Sequence, residues 1–254
     1  MKSISRFIAA SSILVLLGAG CGSTTPRASE TASEASPSPA VARSNGQEDC
    51  FNLYYPLKTG SAIAYRMKSG TMETPFTIRV VERTSTTVKL EYTFTVQGRE
   101  SKLTNNLVCE NGAIKSTGYF DIAQAFTGME MSFDTISMEG EILPSDLAIG
   151  RAWNLATEVE IHTTNAQMKA MLDGRRQKSN IASKVIGEET VTVPAGTFNA
   201  LKIEQTITME SAVMGAHSTT TANAWYVKDV GLVKSDSTFG TTVSTMEAME
   251  ITQE

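Results

Sequence analysis

Only two histidines, His162 and His217, stand among the 254 residues, and 55 positions separate them. No third histidine completes a common zinc set, so each reads as a strand-surface or loop residue. The sequence holds no C-x-x-C and no H-E-x-x-H. It also lacks the G-x-S-x-G turn that raises a serine nucleophile and the G-x-x-x-x-G-K-[ST] loop that cradles phosphate. Glu188 and Glu189 are adjacent, so on a strand they point to opposite faces and cannot act as an acid–base pair. Asp121, Asp134 and Glu139 lie among apolar residues with no partner visible in the sequence. These residues argue against catalysis, and no cofactor or metal is expected.

The remaining chemistry belongs to three thiols, Cys21, Cys50 and Cys109. Cys21 follows Lys2 and Arg6, an apolar run from Phe7 to Leu17, and the small residues Gly18, Ala19 and Gly20. This 11-residue run is too short to span a bilayer as a helix, which takes about 20 apolar residues. The stretch resembles a bacterial lipoprotein signal, although Gly18 stands where an aliphatic residue is usual. The resemblance implies a signal peptide over 1–20, removed before Cys21, with Cys21 acylated as the new N-terminus. Two or more acyl chains, at ~0.8 kcal/mol per buried methylene, would anchor the chain to a membrane. The same resemblance implies that Gly22, which is not the Asp of an inner-membrane retention signal in Gram-negative lipoproteins, is permissive for the outer membrane, and the sequence does not choose between that and the cell membrane. Either way the folded part is expected outside the cytoplasm, in the periplasm or at the cell surface.

Residues 22–49 are almost all small, polar or proline. They cannot bury enough apolar area to offset their ordering entropy, so 21–49 is expected to be a lipidated cysteine and a disordered tether. Random-coil scaling gives a reach of roughly 30 Å. In an exported chain, Cys50 and Cys109 form an even pair and are expected to bridge; two separate buried thiols are the alternative. Without Lys2 and Arg6 the net charge of −5 becomes about −7. No basic cluster suits nucleic acid or anionic lipid, so nucleic acid is not an expected partner.

These residues must be positioned by a domain over 50–254. From Phe51 on there are 29 threonines, a residue type that fits pleated surfaces. Alternation is plain over Val88–Val96, and similar patterns place strands at 76–82, 185–193, 198–209, 222–227 and 232–237. In V-P-A-G, Pro194 and Gly196 suit the second and fourth positions of a type I turn. Asn165–Gly174 is compatible with a helix bearing Met168, Met171 and Leu172, or with a long hairpin turning at Asp173-Gly174. The threonines leading in favour the hairpin.

An internal echo is present. P-L-K-T-G-S-A-I-A-Y from Pro56 resembles P-S-D-L-A-I-G-R-A-W from Pro144, and E-N-G-A-I-K-S from Glu110 resembles D-V-G-L-V-K-S from Asp229. Half-repeats over 54–118 and 143–238, or coincidence in short motifs, explain it equally. The fold class expected is mainly β and antiparallel, as one curved sheet or two facing sheets.

V-T-V-P-A-G-T-F-N-A-L-K (191–202), W-Y-V-K-D-V-G-L-V-K-S (225–235) and Y-Y-P-L-K-T-G-S (54–61) are similar to motifs of a widespread group of uncharacterised bacterial lipoproteins. The resemblance implies an exported antiparallel β protein and brings no activity with it. Ala64 departs from that group, which often has tryptophan there. Trp225 and Tyr226 are readable as core and rim packing or as a stacking platform for a ligand. Among 12 methionines, Met129 and Met131 suit either awkward core gaps or a surface adapting to apolar ligands.

The function expected is a membrane-anchored, non-enzymatic β domain that binds an envelope partner or supports the envelope. The alternative is a carrier of lipid or another apolar ligand, which would need an apolar cavity of several hundred Å³.

Overall fold

The computed structural model describes residues 50, 52–55, 58–96, 99–118, 131–211, 216–240 and 242–253. The expected signal, Cys21 and the tether therefore lie outside the described residues. Twelve antiparallel strands follow one another: β1 (Ala62–Ser69), β2 (Met72–Arg83), β3 (Thr87–Val96), β4 (Arg99–Glu110), β5 (Ala113–Ser116) and β6 (Met131–Gly140). They continue as β7 (Ala152–Thr163), β8 (Arg175–Val193), β9 (Gly196–Ser211), β10 (Ala216–Val227), β11 (Gly231–Phe239) and β12 (Thr242–Thr252). All belong to one sheet in the order β5-β4-β3-β2-β1-β12-β11-β10-β9-β8-β7-β6. Sequence neighbours pair throughout except β5 and β6, which form the two free edges, and the first and last strands, β1 and β12, pair with each other.

The sheet curls until its free edges nearly touch. Ile114 of β5 donates to Leu143 O and accepts from Ile142 N–H, both at 2.8 Å. Those bonds bring the chain just past β6 onto the edge of β5, giving a nearly closed barrel. Of the two expected arrangements, the curved sheet is the one formed.

Alternation decides which residues fill the inside. Tyr65, Phe76 and Phe94 stand opposite one another across β1, β2 and β3. Their rings stack at centroid distances of 5.3 and 5.6 Å. The neighbouring row is Ile63, Ile78 and Tyr92, and Val80 faces Leu90. In the other half, Val185, Ile203 and Ala224 form the corresponding row over β8, β9 and β10. These residues belong to one buried cluster with Val233 and Ala248.

The echo in sequence is matched in backbone wiring. Gly60 N–H donates to Val80 O and Gly150 N–H to Val185 O, both at 2.8 Å. Val80 N–H returns to Ser61 O and Val185 N–H to Arg151 O, both at 2.9 Å. A register shift follows each valine, at Val80/Glu82 and at Val185/Gly187. The two non-glycine residues with positive φ among the described residues, Asn111 and Asp229, introduce the turns before β5 and β11. Asn and Asp tolerate that conformation better than most residues.

Val193 and Gly196 pair around Pro194-Ala195 as expected for V-P-A-G, and Ala195 N–H reaches Ala248 O on β12 at 3.1 Å. The stretch 165–174 corrects the expectation in part. β7 and β8 do pair as a hairpin, but a short helix, α1 (Ala166–Leu172), forms their connection. Asn165 is the reason: its side chain accepts from the N–H groups of Gln167 and Met168, ending the strand and capping a helix.

Candidate functional site

Three places gather functional side chains. The first is a pocket where β1 meets β12. It has a volume of about 80 Å³ and is lined chiefly by Ile63, Ile78, Val80, Leu90, Leu232 and Ile251. Register explains the gathering, since Ile63 stands opposite both Ile78 on β2 and Ile251 on β12. Tyr65 borders it and donates its hydroxyl to Leu232 O at 2.7 Å. Ser61 also borders it, 7% exposed, and its Oγ has no hydrogen-bond partner.

Around that pocket the phenols resist ionisation. Burial, aided by neighbouring phenols, pushes Tyr65 and Tyr55 well above the usual tyrosine range. Burial pushes Tyr92 and Tyr226 up to about 12, the former against a bond from Asn105 that lowers it. None of these phenols is therefore prepared to act as a base near neutral pH.

The second place is the row around Trp225 on β10. Lys202 on β9 and Lys234 on β11 stand directly opposite it, and each ammonium lies 5.1 Å from the ring centroid. The indole Nε1 donates to Glu189 Oε1 at 2.5 Å, and Glu189 is 3.5 Å from the Lys202 ammonium. The lysine stems and the cation–π contacts explain why Trp225 is only 4% exposed. Tyr226 has different neighbours, Tyr92 and Tyr65. The structure does not bring Trp225 and Tyr226 together as one platform. Met129 lies outside the described residues, and Met131 opens β6 opposite Thr163.

The third place surrounds His162 on β7. Its Nε2 lies 3.2 Å from Asp134 and 3.7 Å from Glu160, and its Nδ1 lies 3.8 Å from Asp173. Asp134 thus has a partner that its sequence context does not reveal, because β6 pairing with β7 brings it diagonally beside His162. Asp173 is committed to Thr163 N–H at 3.0 Å. Among the described residues no three such side chains converge as metal ligands would. A polar groove also crosses β6 to β9, with a volume near 350 Å³ and Glu139, Glu158, Lys178 and Glu210 on its walls. It is shallow and open to solvent.

Cys50 and Cys109 are joined, with Cα atoms 4.8 Å apart. The bridge fastens the segment before β1 to the end of β4. Asn52, two residues on, was not singled out by the sequence. Its buried side chain donates to Gly112 O and Pro144 O, each at 2.9 Å, and accepts from Tyr54 N–H. A buried polar residue just after a cysteine was the available signal, but its partners lie 60 and 92 residues away.

The sequence model of the DUF3108-like family matches residues 63–245. Two crystal structures are similar over most of the chain. One is a protein of Parabacteroides distasonis ATCC 8503 provisionally assigned as a lipoprotein. It is 17% identical, with 80% of this chain and 99% of its own aligned, at a TM-score of 0.54. The other is a provisionally assigned exported protein of Bacteroides fragilis NCTC 9343 with a YmcC-like fold. It is 14% identical, covering 80% of this chain and 100% of its own, at a TM-score of 0.53. Identities this low establish likeness of fold alone. None of the curated proteins matches the chain.

Proposed function

The chain belongs to the DUF3108-like family, and from that premise we propose that it is an exported lipoprotein whose β domain is a non-enzymatic binding module. Acyl chains on Cys21 hold it to the cell membrane or the outer membrane, and the domain works outside the cytoplasm on an envelope partner. The resemblance of residues 1–21 to a lipoprotein signal supports the anchor, as does the disulfide, which suits an oxidising compartment. The names of the two similar structures agree with export.

One observation carries the binding reading over the carrier reading. The aromatic and aliphatic rows fill the barrel and leave an apolar pocket of about 80 Å³. Pockets that engulf drug-sized ligands run to ~300–1,000 Å³. A lipid could enter only in part. Against a phenolate base stand the tyrosines raised above their usual range.

The test has two arms. Labelling cells with an alkyne fatty acid should mark the wild-type chain and leave Cys21→Ala unmarked; equal labelling overturns the anchor. Native mass spectrometry of the mature chain, exported with Cys21→Ser and purified without detergent, should give a lipid-free mass. A stoichiometric co-purifying lipid would overturn the binding module in favour of the carrier.

A further inference from the structure

The pocket at the β1–β12 junction combines two features that packing alone does not explain. Its walls are aliphatic, yet a buried hydroxyl, Ser61 Oγ, borders it unpaired. A buried polar group left without a partner is destabilising, so the hydroxyl favours an incoming hydrogen-bonding atom. Tyr65 cannot relieve it as a donor, since its own hydroxyl proton is given to Leu232 O.

The second half of the chain shows what a filled version looks like. Matching the paired valines Val80 and Val185 places Ile63 in register with Trp153 and Ser61 with Arg151. Ile63 stands opposite Ile78 just as Trp153 stands opposite Ser183. Where the second half puts a buried indole, the first half puts a smaller side chain and leaves space beside a free hydroxyl. The first half carries the opening, and the second half shows that the fold has a side chain able to occupy the matching position.

We propose that this pocket is a binding site for a neutral aliphatic group bearing one hydrogen-bonding oxygen, with Ser61 Oγ as its polar anchor. This names the ligand chemistry of the binding module and rests on that reading. Every lining residue is uncharged, so a carboxylate or ammonium entering the pocket would lose water without gaining a counter-charge. The volume, below the ~150 Å³ of a cavity that takes up benzene, suits a short chain or the end of a longer one. A free alcohol and the hydroxyl-bearing end of a larger neutral lipid share this chemistry.

The test uses the mature Cys21→Ser chain with ¹³C-labelled Ile, Leu and Val methyl groups, titrated separately with 1-hexanol, hexanoate and monohexanoylglycerol. Hexanol should shift the methyl signals of Ile63, Ile78, Val80, Leu90, Leu232 and Ile251 saturably. Hexanoate at pH 7 should bind about tenfold more weakly or less, as an unpaired charge requires. Monohexanoylglycerol binding more tightly than hexanol would assign the source to a lipid end, and the reverse order to a free alcohol. Ser61→Ala should weaken hexanol by about three- to tenfold, the worth of one hydrogen bond. Ile63→Trp, copying the second half, should abolish the shifts. No saturable shift at those methyls, equal binding of hexanoate, or indifference to Ser61→Ala would each overturn the site; none of the three depends on Ile63→Trp folding. A site that fails while the native mass stays lipid-free would leave the binding module standing.

Discussion

The side-chain amide of Asn52 donates to the backbone carbonyl of Pro144, 92 residues away, at 2.9 Å. The same amide donates to Gly112 O, so one nitrogen ties the turn before β5 to the chain beyond β6. These are the two edges that close the barrel through Ile114 and Leu143. The Cys50–Cys109 bridge lies two residues upstream and reaches the same end of β4. The closure is thus held by one covalent clip and one polar clip, both supplied by the segment preceding β1.

Asn52→Ala removes both donors and leaves two carbonyls without their partner, together with the Tyr54 N–H. An expected loss of about 2–3 kcal/mol follows from the cost of unsatisfied buried groups. Asn52→Asp should be worse at neutral pH, because it sets a carboxylate against two carbonyl oxygens. Urea unfolding of the three proteins gives the order directly. Stability of Asn52→Ala equal to wild type would show that closure does not depend on the donor.

Reduction of the bridge, or paired Cys50→Ala and Cys109→Ala, should lower stability by about 4 kcal/mol. The chain-entropy model gives that value for cysteines 59 residues apart. Urea unfolding with and without a reductant measures it. A loss below about 1 kcal/mol would mean that Asn52 and the core hold the closure without the covalent clip.

High pH should unfold this protein through its phenols. Tyr92 and Tyr226 are held up to about 12 by burial, and Tyr65 beyond that. A phenol with a higher pKa in the folded than in the unfolded state contributes stability below pH about 10. That contribution is lost as pH rises through the folded value. Absorbance at 295 nm should therefore show late tyrosine ionisation coinciding with loss of β circular dichroism between about pH 10 and 12. Full ionisation near pH 10 with the fold intact would contradict the burial.

Much of the sheet is legible in the sequence where one face alternates cleanly, as in Val88–Val96 of β3 and in the V-P-A-G turn. The same alternation hides in β4, R-E-S-K-L-T-N-N-L-V-C-E, because its inward positions include Asn105 opposite Leu90. Asn165 was ambiguous because helix capping and strand termination use the same residue type. The pocket was not legible at all. Ile63, Ile78, Leu90 and Ile251 span 188 residues of sequence, and only the β1–β12 pairing brings them together. Trp225 stood out by its rarity, but the lysines that cover it become visible only in cross-strand register. The glycine echo was legible because its two copies serve the same hydrogen bonds.

Gly140 and Gly150 offer a paired test of backbone constraint at the two ends of the β6–β7 connection. Both have positive φ, 104° and 90°. A Cβ on Gly140 would lie 2.0 Å from Asn154 O, a backbone atom held by the β6–β7 ladder, whereas a Cβ on Gly150 meets nothing within 4 Å. Gly150→Ala should therefore cost only its conformational strain, about 1–2 kcal/mol. Gly140→Ala adds a clash that only a backbone shift can relieve, and should cost at least about 2 kcal/mol more. Thermal and urea unfolding of the two variants separates strain from collision. Equal losses would mean that β6 yields at its end and that Asn154 does not fix the approach of the two strands.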